Sequence, residues 1–474
     1  VHRPADAASP ATRAGATDLR VRDEVAPVPS DTENDKKLSL MGSVALGTGV
    51  MIGAGIFALV GQVAELAGSW VPWAFVAGAV VAAFSAYSYV RYSSTDPSSG
   101  GIAMILKAAY GPGVLAGSFS LFMYVSMILA ESLLARTFGT YLLRPFGMQG
   151  SAVWVPVLAV AAIVAATLVN LVGNRWVEGS ATVTAAIKIV GIGALAVAGI
   201  AATGVSALSD LFTGGGGRTP ADGGLLGILA GTALCILAYK GFTTITNQGD
   251  DLRDPERNIP RSIVIAIAVC TVLYLLLTVA VTGSLSVPQI VAARDYALAE
   301  AAEPLFGSWG VWLTVAVAVV ATLSGLVASL FSVSRLYDML REMGQVPGLP
   351  GSVNRQSLLI TAALALVTAT LFDLSQIASL GAMLYLSMDI AIHWGMVRRL
   401  RHEVEFTTWI PAVAIALDVL VLVPFVIMKM RTDLFTVVVT AAVAALVFGG
   451  QWVIVRRRGG AAAHRHSSGE RRSQ

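Results

Sequence analysis

Apolar runs of about twenty residues follow one another along most of this chain, separated by short polar breaks. A helix of roughly that length crosses the hydrocarbon of a bilayer. Twelve such runs begin near residues 39, 70, 112, 151, 178, 224, 261, 309, 356, 374, 409 and 432. The pattern predicts an all-α integral membrane protein with twelve transmembrane helices. Outside these runs lie a polar segment up to about Lys37 and a basic end from Arg456 to Gln474. Neither carries a pattern that buries a core, so both are read as disordered tails. No short apolar run precedes a small-residue cleavage site, so the first span is expected to act as the targeting element.

Two of the apolar runs are interrupted. Residues 47–57 read GTGVMIGAGIF, four glycines in eleven residues. Glycine costs about 1 kcal/mol relative to alanine inside a helix, and non-helical backbone at membrane depth survives only inside protein or beside a cavity. The sixth run extends from Leu225 to Ala238, meets Tyr239, Lys240, Gly241 and Phe242, and turns polar in TTITNQGDD before Arg253. Between the fifth and sixth runs stands TGGGGRTPADGG, a flexible connector. Broken helices at matching places in two halves are the mark of transporters built from inverted repeats. The predicted organisation is a tail (1–37), a first repeat of helices 1–5 (38–203), the connector (204–223), a second repeat of helices 6–10 (224–400), helices 11–12 (401–455) and a basic tail (456–474).

Composition narrows the class. The 474 residues are 55% hydrophobic and 13% charged, with a mean hydropathy of +0.73, which excludes a soluble domain of this length. The formal charge is only +3, and its distribution is more informative than its size. With a cytoplasmic N-terminus, Arg91, Lys107, Arg253, Arg257, Arg261, Arg335, Arg398, Arg399, Arg401 and Arg456 to Arg458 fall on the cytoplasmic side. Arg136, Arg144, Arg218, Arg294, Lys429 and Arg431 fall opposite. This bias puts both termini in the cytoplasm and suits a multi-pass plasma-membrane protein. The basic residues sit in short loops between spans, which argues against a nucleic-acid partner. Two cysteines, Cys235 and Cys270, lie in apolar segments and form no disulfide framework. No nucleophile with base and orienting acid, no metal-ligand cluster and no phosphate loop is evident. GGGGR at 214–218 lacks the Lys and Ser/Thr of a Walker motif. The expectation is neither an enzyme nor a primary pump, with no cofactor and no metal.

Four segments carry a resemblance. GTGVMIGAGIF at 47–57 is similar to the first-helix motif of the amino acid, polyamine and organocation (APC) transporters, and DPSSGG at 96–101 to their loop after the second span. AYKGFTTI at 238–245 with DLRDPERNIPRSI at 251–263 resembles the family's sixth helix and following cytoplasmic loop. SRLYDMLREMGQVP at 334–347 resembles the end of its eighth helix. The matches occur in order over about 300 residues and are specific to the family, not to a substrate. The resemblance implies a five-plus-five inverted repeat of the LeuT type with discontinuous helices 1 and 6, working by alternating access.

A broken first helix frees backbone N–H groups at Gly53, Ala54 and Gly55 at the positive end of a half-helix, which suits a carboxylate. The resemblance assigns them to the carboxylate of an amino acid. It assigns the carbonyls of Met51, Leu237 and Lys240 to the ammonium, with Ile56, Tyr239, Phe242 and Thr243 in the same substrate site. The competing reading of the glycines is close helix packing by small residues. Thr243 and Lys240 depart from the family pattern, which has an acidic and an apolar residue there. The lysine reads either as reaching an aqueous vestibule or as a selectivity element.

Lys188 lies in the middle of span five, and an ionisable group at that depth is read as functional. Proton-coupled members of the family resemble this chain in carrying a lysine in the fifth helix, so Lys188 is the expected proton-coupling residue, competing with a structural bond to carbonyls near the first break. Glu131 in span three must be paired, protonated or facing water. Its candidate roles are a pair with Lys188, a grip on the distal amine of a cationic substrate, or a structural link. Tyr385, Asp389 and His393 share a face of span ten, either as a proton wire or as a polar stripe, with His393 near the membrane surface. Asp418 in span eleven lies outside the repeats. Thr322, Ser324 and Ser329 in span eight offer oxygen ligands. The sequence therefore points to proton-coupled amino acid import, with amine or polyamine transport or exchange, or a non-transporting receptor, as alternatives.

Overall fold

The computed structural model describes residues 37–96, 101–172, 174–204, 224–247, 249–346 and 353–470. The N-terminal tail, the 205–223 connector with Arg218 and the GGGGR segment, the centre of DPSSGG, Pro347 and the last four residues lie outside the described residues.

The described chain is helical throughout. It begins with α1 (Leu40–Ala54) and α2 (Ile56–Ala67), followed by α3 (Val71–Thr95), α4 (Gly101–Tyr110), α5 (Val114–Leu143), α6 (Trp154–Val172) and α7 (Asn174–Thr203). Then come α8 (Gly224–Tyr239), a 3₁₀ turn (Lys240–Phe242), α9 (Thr243–Thr246), α10 (Pro255–Ser284) and α11 (Val287–Ala292). The remaining helices are α12 (Ala297–Glu342), α13 (Val353–Leu371), α14 (Leu374–Arg398), α15 (Trp409–Thr432) and α16 (Leu434–Glu470).

Local sequence sets the ends of these helices. Ser39 caps α1 by accepting from the Gly42 amide at 3.1 Å, and Asp373 and Gln376 form a reciprocal capping box at the start of α14. Pro255 opens α10, where a missing N–H costs nothing. The 46-residue α12 bends at Gly307, whose φ of 62° only glycine adopts readily.

Ten helices among the described residues are long and apolar enough to cross a membrane. This differs from the twelve expected for two reasons. The first apolar run is divided at Gly55, and α13 offers only a short apolar stretch, Arg355–Leu371. Helix α16 also continues past Arg456, where a structureless tail was expected. The fold is that of an all-α, multi-spanning membrane protein.

Helix α1 passes through the middle of the bundle, packed on α7, α10 and α12 and on the 3₁₀ turn, while α5 packs along α14 and α12. The core is continuous and apolar through these helices. By contrast, α16 is almost wholly peripheral, with Leu446 75% exposed. The bundle is tied at both ends. At one end Leu38 pairs with the 251–253 loop, donating to Asp251 O at 2.7 Å and accepting from the Arg253 amide at 3.0 Å. There Arg335 of α12 also forms an ion pair with Asp251. At the other end Arg294 meets Glu65 at 3.1 Å, and Arg144 meets Glu300 at 2.7 Å and Glu303 at 2.6 Å.

The approach of α1 to the 3₁₀ turn depends on Gly241, where an added Cβ stands 2.7 Å from both the backbone nitrogen and Cγ of Met51. Backbone cannot yield as a side-chain end can, so Gly241→Ala is expected to separate the two segments. Overpacking of this kind costs about 1–3 kcal/mol. A lower melting temperature for purified Gly241→Ala than for the parent chain in detergent checks this; an unchanged one contradicts the close approach.

Candidate functional site

The two interrupted helices face each other. Gly55 joins α1 to α2, and a Cβ there meets the Tyr274 hydroxyl at 2.6 Å and the Ala238 Cβ at 2.7 Å. Gly241 touches Met51, as above. Every described candidate in this region is buried: Met51, Gly53, Gly55 and Ile56 from the first break, Leu237, Tyr239, Lys240, Phe242 and Thr243 from the second. The Ala54 side chain lies outside the described residues.

The first break is shallower than the glycine content predicts. Gly55 keeps right-handed backbone angles (φ −77°, ψ −73°), and its N–H donates to Met51 O at 2.8 Å. The Gly55 amide is therefore not free in this conformation, and one lone pair of the Met51 carbonyl is used. Close packing accounts directly for Gly53 and Gly55; at Gly53 an added Cβ lies 2.9 Å from Ala321 O of α12.

At the second break, Lys240 O accepts from the Thr243 hydroxyl at 2.9 Å. The Tyr239 hydroxyl donates to Phe75 O of α3 at 3.2 Å. Phe242 packs edge-on to Tyr89, with ring centroids 5.3 Å apart.

Lys240 does not reach a vestibule. Its side chain is 5% exposed, and the ammonium donates to Ser126 O at 2.8 Å and Ser126 Oγ at 2.7 Å. It also stands over the Tyr385 ring, 5.4 Å from the centroid, a favourable position for a desolvated cation. Ser126 Oγ in turn donates to Gly381 O at 2.8 Å, so one lysine links the α8 break to both α5 and α14.

Lys188 of α7 donates to Gly49 O in α1 at 2.8 Å. Its head lines a cavity of about 230 Å³ between α1, α6, α7 and α12, whose other polar residues are Thr184 and Ser324. A pair between Lys188 and Glu131 is not formed. The lysine turns to the first helix, and Glu131 has Lys240 and Ser329 as its polar neighbours instead. Both Glu131 carboxylate oxygens are buried, with no hydrogen bond of ordinary length and the Ser329 hydroxyl beside them. Helix rotation, which spacing along the chain does not reveal, decides which buried cation the carboxylate meets.

The span-eight hydroxyls are partly spent on their own helix: Thr322 Oγ1 donates to Ala318 O at 2.7 Å and Ser324 Oγ to Val320 O at 2.5 Å. His393 lies fully buried within the protein, and beside it are Asp389 and Asp418. Sequence reading missed this grouping because its members come from two helices and Asp418 has no patterned neighbour.

Comparison with known proteins agrees with this architecture. Residues 38–450 match the family model described as amino acid permease. The chain is 32% identical to the inner membrane transport protein YbaT of Escherichia coli (strain K12) over 401 residues, covering 83% of this chain and 90% of that protein. It is 28% identical to the vacuolar cationic amino acid transporter 4 of Arabidopsis thaliana, over 73% of this chain and 60% of that one. A mutant of the manganese transporter of Eremococcus coleocola shares the fold with a TM-score of 0.57 at 13% identity, over 88% of this chain and 95% of that one. The chain belongs to the amino acid permease family, and it is a secondary-active membrane transporter of small solutes, not an enzyme.

Ser126→Ala removes one of the two oxygens that hold the Lys240 ammonium and leaves the carbonyl. Hydrogen bonds to charged groups contribute about 1.5–3 kcal/mol. A melting temperature several degrees below that of the parent, with Lys240→Met in the same background adding less than it does alone, is the expected double-mutant result. Additive losses would mean that the two groups do not interact.

Proposed function

We propose that this protein imports amino acids across the plasma membrane by proton-coupled alternating access. In this reading twelve spans form two inverted five-helix repeats, with α1–α2 and α8–α9 as the discontinuous helices and both termini cytoplasmic. The observation that carries it is the meeting of the two breaks, Gly55 against Ala238 and Gly241 against Met51, at the centre of a bundle tied shut at both ends.

The substrate carboxylate takes the Gly53, Ala54 and Gly55 amides once the Gly55–Met51 hydrogen bond opens. The ammonium takes the second lone pairs of the Met51 and Leu237 carbonyls, and the Lys240 carbonyl once the Thr243 hydroxyl releases it. Ile56, Tyr239, Phe242 and Thr243 enclose the substrate. Opening one end requires breaking the Arg335–Asp251 pair and the Leu38 hydrogen bonds, and opening the other requires releasing Arg294 from Glu65.

Lys188 couples the proton. Its ammonium bond to Gly49 O ties α7 to α1, four residues ahead of the proposed carboxylate site. Loss of a proton through the adjoining cavity weakens that tie and lets α1 move. Glu131 favours a second reading, in which the substrate is a cationic amino acid or amine, because a buried carboxylate without a hydrogen bond of ordinary length is a ready acceptor for a distal ammonium. The similarity to a cationic amino acid transporter of Arabidopsis points the same way.

Uptake of a labelled panel of neutral and cationic amino acids and polyamines into proteoliposomes, in sodium-free buffer with and without an inward proton gradient, tests the proposal. Gradient-dependent accumulation of an amino acid is expected. Saturable binding with no accumulation would make the protein a receptor. Lys188→Ala is expected to keep substrate binding but lower gradient-driven accumulation roughly tenfold or more; full accumulation in that variant removes Lys188 from the coupling step. Glu131→Gln is expected to lower uptake of cationic substrates selectively, and equal effects on neutral and cationic substrates would reject the second reading.

A further inference from the structure

Away from the helix breaks, α14 and α15 bring Asp389, His393 and Asp418 together. All three side chains are fully buried, and one donor atom from each lies within 4.8 Å of the others. His393 Nε2 is 3.5 Å from Asp389 Oδ1 and 3.7 Å from Asp418 Oδ2. Nε2 and both Asp418 oxygens have no hydrogen-bond partner, and the buried hydroxyl of Tyr385, one turn ahead of Asp389, stands beside Tyr89 and Ser85.

Neighbouring groups fix the orientation of this set. His393 Nδ1 is 2.8 Å from Ser88 Oγ. Asp389 accepts from Ser85 Oγ at 2.6 Å and from the Tyr89 hydroxyl at 2.5 Å. Outer contacts of this kind, a hydroxyl on the far imidazole nitrogen and donors behind a carboxylate, are what orient metal ligands. In the tautomer that donates Nδ1–H to Ser88, the Nε2 lone pair faces two carboxylates, the arrangement a metal ion requires.

We infer that Asp389, His393 and Asp418 form a site for a divalent first-row transition-metal ion that fastens α15 to α14 and, through Ser85, Ser88 and Tyr89, to α3.

Two physical arguments favour a metal over a purely hydrogen-bonded cluster. The first is distance. An imidazolium paired with a carboxylate brings nitrogen and oxygen to about 2.7–2.9 Å, and the separations here are longer. Four-coordinate zinc with bonds of about 2.0–2.1 Å sets its ligand atoms roughly 3.3–3.4 Å apart, close to the two distances observed. The second is charge. Among the described residues no lysine or arginine pairs with either aspartate. One divalent ion neutralises two carboxylates beside a neutral histidine, whereas neutrality by protons alone requires two of them, one on His393 and one on an aspartate, since a single proton leaves a net negative charge in a buried site. A nitrogen and two carboxylates, with the Tyr385 hydroxyl nearby, suit zinc or manganese and offer no soft sulfur ligand. The site is independent of the transport mechanism proposed above, since no substrate or proton step uses it.

The test uses the full chain, produced in medium supplemented with zinc or manganese and purified in detergent without chelator. Elemental analysis by inductively coupled plasma mass spectrometry is expected to find close to one zinc or manganese per chain, reduced roughly tenfold or more in His393→Gln and Asp418→Asn. Addition of a chelator is expected to lower the melting temperature of the parent chain and not that of the variants. Should the variants fail to fold, X-ray absorption at the metal edge of the parent decides: a shell of nitrogen and oxygen with imidazole scattering supports the site. A parent chain free of metal with a melting temperature indifferent to zinc and manganese, a sulfur-containing shell, or folded variants that keep the metal would each overturn it. The first of these outcomes would leave the cluster neutralised by protons alone.

Discussion

Polar groups inside this bundle must find partners within the protein, because lipid offers none. The arrangement around the first helix follows from that requirement. Two lysines from opposite halves of the chain are buried beside α1, and each uses a backbone carbonyl: Lys188 that of Gly49, Lys240 that of Ser126. A carbonyl inside a helix keeps a second lone pair after its helical bond is made, so an ammonium can attach without unwinding the helix it meets. The lysines hold helices together at places where glycine has removed the side chains that would otherwise do so.

Glycine and lysine therefore act as a pair. Gly241 lets the 3₁₀ turn lie against Met51, and that approach carries the neighbouring Lys240 far enough inward to reach α5. Gly49 leaves room above its own carbonyl for the Lys188 head, which stands 3.6 Å from the position of an added Cβ. Replacing Gly241 by a larger residue would push the two segments apart and draw the cation back, whereas a Cβ at Gly49 meets the Lys188 head at ordinary contact distance. Composition alone hides this dependence, since each residue type taken singly reads as an unwelcome guest in a membrane helix.

The apolar runs were legible because a bilayer demands a minimum length of hydrophobic helix. The two breaks were legible because glycine and lysine are rare at such depth without reason. Depth and helix identity follow from the sequence, but the rotation of each helix does not. Lys188 and Glu131 were both recognised as buried charges, yet the partner of each depends on which way α7 and α5 turn their faces. For the same reason Asp418 carried no signal until α15 was seen to present it to His393. The shallow geometry at Gly55 has a further cause: four glycines permit a break without forcing one, and the amide there remains bonded to Met51 O.

Relative motion must fall where the fewest directional bonds resist it, and the hydrogen bonds between helices are unevenly placed. Helix α5 is fastened to α13 and α14 by Ser126 to Gly381 O, Ser132 to Ala365 O, Tyr124 with Thr361 and Arg136 to Ala369 O. Among the described residues, α1 shows one side-chain bond to another helix within the membrane, that of Lys188, and otherwise rests on close glycine contacts. Apolar contact without directional bonds can slide, whereas a network of hydrogen bonds in low dielectric resists it. Under the alternating access proposed above, α5, α13 and α14 would form the frame and α1 the element that moves against it. Lys240 has its stem on the α8 break and its head on α5, so it spans the boundary between the two. Any movement of the second break relative to the frame has to lengthen or release its bonds to Ser126. In that reading the two buried lysines differ in place: Lys188 holds the helix that moves, through Gly49 O, and Lys240 holds the second break to the frame, through Ser126.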